Sequence, residues 1–187
     1  RPGTVGRPVG GLEVSIVDDD GEDLPVGEVG RVFVSRPDGP PEYHGDPEKS
    51  AEMRLPDGRF TVGDLGRIDD EGYLFLADRR VDLVISGGTN IYPAEIEAVL
   101  SRCEGVADVA VFGVPHPEWG QEVMAVIEPS AGSSIDEATV LEHARAHLAA
   151  FKVPRRIELV ATLPREASGK LKKHLLREQY VPRTDAS

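Results

Sequence analysis

Residues 78–97, with the sequence DRRVDLVISGGTNIYPAEIE, place the strongest local constraint on the fold of this chain. The apolar residues 83–85 favour a short strand, and the following Ser86-Gly87-Gly88 favours a tight turn. Pro93 suits the first turn of a helix, where its missing N–H costs no hydrogen bond. The segment therefore predicts a strand, a glycine turn and a helix over residues 93–102. The buried stripe of that helix is predicted to contain Ile96, Val99 and Leu100.

The composition limits the classes of partner and site. The chain has 187 residues and a formal net charge of −12, which disfavours a nucleic acid or an anionic membrane as partner. No apolar run is long enough to span a bilayer, and no signal-peptide pattern opens the chain. Cys103 is the only cysteine, so an internal disulfide and a cysteine-rich zinc site are excluded. These features predict a cytoplasmic protein and do not decide its oligomeric state.

Residues 1–81 have the pattern of a β-rich segment. Apolar and polar residues alternate at residues 12–16, which is the period of a half-buried strand. The acidic run DDDG at residues 18–21 predicts a turn with solvated carboxylates, because the spacing of a calcium loop does not follow it. Residues 37–58, rich in proline, glycine and charge, predict a long loop. Further strands are predicted at residues 29–35 and 73–76.

Residues 82–187 have the pattern of a small, complete α+β domain with a short sheet and about three helices. The capping-box pattern SIDE at residues 134–137 predicts the start of the second helix. The third helix is expected after the loop at residues 164–169. Strands are predicted at residues 106–114, 122–127 and 156–160. We expect only the last few residues to be disordered.

Three further stretches, taken with residues 78–97, resemble the motifs of a known enzyme family. They are RFTVGDLG at residues 59–66, FGVPHPEWGQE at residues 112–122 and PREASGKL at residues 164–171. In this order they resemble the adenylate-forming superfamily, which comprises acyl-CoA synthetases, luciferases and the adenylation domains of peptide synthetases. The second stretch is typical of the acyl-CoA synthetase branch, and the resemblance covers essentially the whole chain.

The resemblance implies a division into two domains. Residues 1–81 would be the C-terminal β-rich part of a large N-terminal domain, folded as part of a barrel. Residues 82–187 would be the C-terminal mobile lid domain of an AMP-forming ligase. The chain begins without methionine, and the family's phosphate loop, acyl pocket and magnesium-binding glutamate do not occur in it. We therefore expect the C-terminal part of a longer enzyme, inactive by itself.

The resemblance also implies two nucleotide-binding residues. Asp64 matches the family's ribose-binding aspartate, and a carboxylate is a good acceptor for two neighbouring hydroxyl groups. Without the resemblance, Asp64 would be an ordinary aspartate at a strand end. Arg79 matches an arginine that also contacts the ribose. The alternative for Arg79 is a surface ion pair with Asp78 or Asp82, which would contribute little to stability.

Lys170 is the candidate catalytic residue. It precedes the basic residues Lys172, Lys173 and Arg177, a local positive patch that would attract phosphate on this acidic chain. From composition alone, a solvated helix face with one more lysine on it is the better explanation. The resemblance implies that Lys170 enters the active site during adenylation and offsets the negative charge that gathers at the α-phosphate.

The resemblance implies roles for three residues around the turn. Val81 matches the position of the hinge between the domains, with Arg80 or Asp82 as alternative centres. Gly87 and Gly88 would line the channel for the pantetheine arm of CoA after the lid domain rotates, because glycine lets a backbone approach a ligand closely. The alternative for both glycines is a plain turn. His116 and Trp119 are better explained by packing and loop structure than by a metal site.

The predicted activity is that of the C-terminal part of an ATP-dependent, AMP-forming acyl-CoA ligase. Its substrates would be a carboxylic acid, expected to be a fatty acid, together with ATP, Mg²⁺ held by ligands outside this chain, and CoA. Two alternatives remain open: an adenylation domain that loads a carrier protein, and a non-catalytic binding module. The acid and the acceptor thiol are not decided by these residues.

Overall fold

The computed structural model describes residues 3–41, 46–167 and 169–181. The chain divides into two compact units, Arg1–Val81 and Asp82–Ser187. The predictions for residues 182–187 and for Ser168 lie outside the described residues. Each unit has its own sheet, which confirms the α+β class with a β-rich first part.

The first unit is an antiparallel sheet of four strands in sequence order. The strands are β1 (Glu13–Val17), β2 (Gly30–Ser35), β3 (Asp64–Ile68) and β4 (Leu74–Arg79). Val17 and Phe33 are fully buried and belong to the core of this unit. Within the described residues the sheet is open and does not close into a barrel.

The predicted loop at residues 37–58 contains a short helix, α1 (Pro47–Glu52), so the prediction of an unbroken loop was wrong. Proline occupies the first helical position, where it is tolerated. Ser50 stabilises this turn by two hydrogen bonds to the carbonyl oxygen of Asp46. Its backbone N–H donates at 3.1 Å and its hydroxyl at 2.8 Å. The composition of the segment concealed a helix that is only six residues long.

The second unit contains a mixed sheet of five strands. The strands are β5 (Val84–Ser86), β6 (Thr89–Ile91), β7 (Val106–His116), β8 (Gly120–Pro129) and β9 (Arg156–Leu159). β7 and β8 form a long hairpin, and β8 also pairs with β5 and, in parallel, with β9. The sequence predicted a helix directly after the glycine turn, but residues 89–91 first return as a strand beside β5.

Helices cover both faces of this sheet. α2 (Pro93–Leu100) and α3 (Glu137–His147) pack on one face with Val109 and Val111 of β7, whereas α4 (Lys173–Tyr180) packs on the other face with Ala110 and Phe112. β7 is therefore buried on both sides, which explains why its residues 109–114 are continuously apolar instead of alternating.

α2 and α3 differ in detail from the predicted helices. α2 ends at Leu100 rather than at residue 102, and full burial of Leu100 and of Ile96 stabilises the fold by roughly 1.5–3 kcal/mol each. The N-cap of α3 is Asp136, whose side chain accepts the N–H of Thr139 at 2.9 Å. The capping box predicted from Ser134 was therefore wrong by two residues, because aspartate is an equally good cap.

Candidate functional site

Asp64 and Arg79 are direct neighbours on adjacent strands. Asp64 is the first residue of β3 and Arg79 the last of β4, and the antiparallel register pairs them. Arg79 Nε lies 3.4 Å from Asp64 Oδ1, and the two side chains are 58% and 22% exposed. Before β3, the backbone turns at Gly63, whose N–H donates to the hydroxyl of buried Thr61 at 3.0 Å. The pair thus presents a carboxylate and a guanidinium at one end of the sheet, both accessible to a ligand.

The guanidinium of Arg79 pairs with Asp64 rather than with Asp78 or Asp82, the partners expected for a surface ion pair. Its side chain contacts Asp64, while its backbone N–H donates to the carboxylate of Asp78 at 2.7 Å. Asp82 pairs with Arg177 instead. The sequence singled out Asp64 and Arg79 separately, and the register of β3 with β4 brings them together.

Lys170 lies on a closed loop, residues 164–171. The ends of the loop are joined by a bridge between Arg165 and Leu171, and Lys172 N–H donates to Pro164 O at 2.8 Å. Inside it, Glu166 N–H donates to the carbonyl oxygen of Lys170 at 2.8 Å. The Lys170 side chain is exposed, and none of the described residues forms an ion pair or hydrogen bond with its ammonium group. The backbone of this lysine is therefore held while its side chain extends into solvent.

Arg165 fastens this loop to the sheet, a role that the sequence reasoning missed. Its Nε donates to Asp108 Oδ2 of β7 at 2.8 Å, and its Nη1 donates to the carbonyl oxygen of Gly169. Gly169 has a φ of +84°, which favours glycine at this corner of the loop. An arginine five residues before the lysine is the only local sign of this clamp.

The predicted positive patch on α4 is partly neutralised. Lys173 Nζ lies 2.7 Å from Glu97 Oε1 of α2, and Arg177 Nη2 lies 2.7 Å from Asp82 Oδ1. The Glu97 carboxylate also accepts the N–H of Val111 at 2.7 Å, so it connects three elements. The charges of Lys173 and Arg177 are therefore balanced inside the unit, which leaves less of the predicted positive patch to attract a phosphate.

Gly87 and Gly88 form the two-residue turn of the β5–β6 hairpin. Their φ values are +55° and +78°, the combination of a type I′ turn, which matches the natural twist of a hairpin. Gly87 N–H donates to the carbonyl oxygen of Trp119 at 2.9 Å. A β-carbon at Gly88 would meet no atom within 4 Å, so this side of the turn is open.

A cavity of about 280 Å³ lies beside Gly87. Its walls include Trp119, Phe151 and Arg155. The Trp119 ring stacks on His116 with centroids 4.2 Å apart and an interplanar angle of 7°, and Arg155 Cζ lies 3.6 Å from the Trp119 centroid. At such distances the imidazole and the guanidinium must occupy opposite faces of the indole. The Phe151 ring, 53% exposed, also lines the cavity, and Lys152 Nζ lies 5.6 Å from its centroid.

This cavity extends what the sequence indicated for residues 112–122. The packing role predicted for His116 and Trp119 agrees with their stacking, but Trp119 also forms part of a ligand-sized wall. Phe151 and Arg155 were missed because they lie more than thirty residues further along the chain. The sequence offers no local signal for them, since Phe151 stands four positions before Arg155 in an ordinary stretch, FKVPRR at residues 151–156.

Val81 follows β4 in a single 3₁₀ turn, Arg80–Asp82. Its side chain is 76% exposed, which is high for an apolar residue. Arg80 N–H donates to Gly63 O at 2.9 Å.

The described parts of the chain contain neither a membrane-spanning helix nor a cluster of side chains that could hold a metal ion. None of the described helices is long and apolar enough to cross a membrane. In residues 3–41, 46–167 and 169–181, no group of three or more His, Cys, Asp or Glu side chains could hold a metal ion.

Comparison with known proteins identifies the family. Residues 95–170 match the family of the AMP-binding enzyme C-terminal domain. The chain is 42% identical over 178 residues to a feruloyl-CoA synthase of Amycolatopsis sp, covering 95% of this chain and 36% of that protein. The chain belongs to the adenylate-forming superfamily.

Other members of this superfamily are similar over the same span. A fatty acid–[acyl-carrier-protein] ligase, ScoC of Streptomyces coeruleorubidus, is 38% identical over 94% of this chain and 34% of its own length. The crystal structure of ATP-bound MatB from Rhodopseudomonas palustris superposes with a TM-score of 0.89 at 42% identity, covering 96% of this chain and 36% of that one. The chain thus spans about a third of the length of these adenylate-forming relatives.

Proposed function

We propose that this chain is the C-terminal part of an ATP-dependent, AMP-forming acyl-CoA ligase. The observation that carries the proposal is the exposed Lys170 on a loop whose backbone is clamped by Arg165. A long cation on a fixed base suits a reaction in which charge develops at a phosphate. The compact units Arg1–Val81 and Asp82–Ser187 support the assignment of the first to a larger N-terminal domain and of the second to a lid that turns about Val81.

In the first half-reaction, a carboxylate oxygen of the acid attacks the α-phosphorus of ATP. The bond from that phosphorus to the oxygen bridging to the β-phosphate breaks, and pyrophosphate leaves with its electron pair. Lys170 would offset the negative charge on the α-phosphate oxygens. Asp64 would accept hydrogen bonds from the two ribose hydroxyl groups. Arg79 would orient Asp64 and donate a hydrogen bond to the ribose. Mg²⁺ would be held by residues outside this chain.

In the second half-reaction, the CoA thiolate attacks the acyl carbonyl carbon and AMP leaves. The open turn at Gly87 and Gly88 suits the passage of the narrow pantetheine arm. The cavity beside it suits the other end of CoA, because an adenine ring would stack on Phe151 and its phosphates would face Arg155.

The acid and the acceptor need separate tests. The relatives include one protein named for feruloyl-CoA and one named for a fatty acid, so a fatty acid remains our proposal. The relative named as a ligase of the acyl carrier protein supports the second candidate function, in which a carrier-bound thiol replaces CoA.

The test uses the longer protein that contains this chain. We expect pyrophosphate release that depends on both ATP and acid, followed by AMP and an acyl-CoA thioester when CoA is added. A panel of fatty and aromatic acids would identify the substrate, and the 187-residue chain alone serves as the inactive control. Thioester formation with a carrier protein but not with CoA would select the second candidate. Absence of any acid-dependent pyrophosphate release would contradict both.

A further inference from the structure

We propose that two ion pairs, Asp19–Arg80 and Asp82–Arg177, bracket Val81 and confine the bending of the chain between the two compact units to that residue. The four charged residues would act as positioning residues. Their significance for catalysis rests on the proposed function, but their effect on the linker does not.

On the side of the first unit, Arg80 is held in two ways. Its N–H donates to the carbonyl oxygen of Gly63 at 2.9 Å, and its guanidinium contacts the carboxylate of Asp19. The Arg80 and Asp19 side chains are 48% and 79% exposed, so water weakens this pair and the backbone bond contributes more. Burial lowers the pKa of the neighbouring Arg31, and the positive charge of Arg80 lowers it further. Arg80 therefore lies against the body of its own unit.

On the side of the second unit, Asp82 is held more firmly. Its Oδ1 accepts from Arg177 Nη2 at 2.7 Å, and the side chains are only 18% and 29% exposed. A charge-assisted bond with less water around it is stronger than an exposed pair. Arg177 follows Leu176, which is buried in the core of this unit. The first residue of the unit is thereby fixed to its last helix.

Val81 is left between these two fixed neighbours. Its side chain is 76% exposed, so it contributes little to either core. The backbone dihedral angles that are free to change are mainly those at Val81, whose β-branched side chain favours an extended backbone. β5 begins at Val84, and α4 begins shortly after Lys170. A rotation at Val81 would therefore carry the Gly87-Gly88 turn and Lys170 together as one body.

The experiment measures the spread of distances between the two units by pulsed electron paramagnetic resonance on the 187-residue chain. Spin labels are attached at Val26→Cys, 68% exposed, and at the exposed Glu142→Cys, in a Cys103→Ser background. Arg177→Gln should broaden the distance distribution, because Asp82 loses its partner. Arg177→Lys retains the charge and should restore most of the wild-type distribution.

Lys173→Gln is the matched control. It also removes an α4 ion pair with an N–O distance of 2.7 Å and similar burial, but its partner Glu97 lies outside the linker. It should leave the distribution unchanged. Asp19→Asn should broaden the distribution less than Arg177→Gln does, because the Asp19–Arg80 pair is more exposed.

Two outcomes would overturn the proposal. Equal broadening by Arg177→Gln and Lys173→Gln would mean that α4 has loosened in general, and no broadening by Arg177→Gln would mean that Asp82 needs no bracket. Thermal unfolding of each variant verifies that it is folded; if Arg177→Gln is not, the isosteric Asp82→Asn takes its place. These distances require no ATP, acid or CoA, so their failure is distinct from a failure of the proposed activity.

Discussion

Lys170 combines a backbone held by a hydrogen bond with an exposed side chain, which suits it to contact a phosphate. In the longer enzyme, Lys170→Ala should slow acyl-adenylate formation by roughly 10²–10³-fold, the loss expected for one preorganised charge donor. Thioester formation from presynthesised acyl-adenylate should be nearly unchanged. The two half-reactions are measured separately by pyrophosphate release and by thioester yield.

Lys172→Ala provides the control for charge, since it removes a neighbouring ammonium group from the same loop end. It should leave both half-reactions close to those of the wild type. If Lys170→Ala slowed both half-reactions equally while its thermal unfolding stayed normal, the adenylation role of Lys170 would be wrong.

Gly88 should show the opposite pattern. Because a side chain would enter open space at this turn, Gly88→Leu should hinder thioester formation and leave adenylation intact. The φ of +78° also strains any residue with a β-carbon, so Gly88→Ala is needed to measure that strain by itself. We expect Gly88→Leu to lose far more thioester activity than Gly88→Ala does. Equal losses in the two variants would attribute the effect to the turn rather than to the channel.

Arg155 offers a test of the cavity that the sequence did not reveal. Arg155→Gln should raise KM for CoA by about tenfold, the loss expected for one charge-assisted contact, with acyl-adenylate formation unchanged. Arg156→Gln is its matched control, because Arg156 is also an exposed arginine but does not line the cavity. If both changes raised KM for CoA equally, Arg155 would act only through the overall charge of the chain.

Among the elements, α3 depends on its cap for an acid-sensitive part of its stability. Hydrogen bonds from Thr139 lower the pKa of Asp136 below its ordinary value. The charged carboxylate is therefore favoured by folding, and its contribution is present above the unfolded pKa of about 3.9 and is lost as the pH falls through the lower folded pKa.

Asp136→Ala should accordingly lower the unfolding temperature at pH 7, and the difference from the wild type should shrink as the solution is acidified below about pH 4. Thermal unfolding followed by circular dichroism between pH 3 and pH 7 measures this. Asp136→Asn keeps a capping oxygen without the charge, so it separates the hydrogen bond from the electrostatic part. A difference that stays constant over the whole pH range would show that the charge of Asp136 does not matter.

For the molecule as a whole, the second unit should fold by itself. Its sheet has apolar clusters on both faces, one under α2 and α3 and one under α4, and these clusters are formed by residues of this unit alone. We expect residues 82–187, expressed separately, to unfold in one cooperative thermal transition. A broad transition without cooperativity would contradict this, and the 187-residue chain provides the reference.

Much of the fold was accessible from local sequence. The alternation at residues 12–16, the proline at the start of α2 and the turn residues Gly87 and Gly88 act within a few positions, and they identify β1, α2 and the turn between β5 and β6. The predictions from local sequence were wrong where two conformations of the same residues were almost equally favourable. Asp136 and Ser134 are both good caps, and residues 89–91 suit a strand or a helix entry until β5 supplies the pairing partner.

In the candidate site, the identity of the residues was predictable from local sequence, whereas their contacts were not. The order of the motifs and the candidates Asp64, Arg79 and Lys170 could be read from local sequence. The contacts of these groups could not, because strand register joins Asp64 to Arg79 and a sheet contact joins Arg165 to Asp108.

The ion pair between Asp82 and Arg177 and the cavity beside Gly87 arise only in the tertiary structure. Asp82 and Arg177 are 95 positions apart. The cavity walls come from the β5–β6 hairpin, from β8 and the residue before it, and from the residues around the second 3₁₀ turn, Ala150–Lys152. Propensity and periodicity act over one or two turns of chain, whereas ion pairs and cavities depend on which distant surfaces the burial of apolar residues brings together.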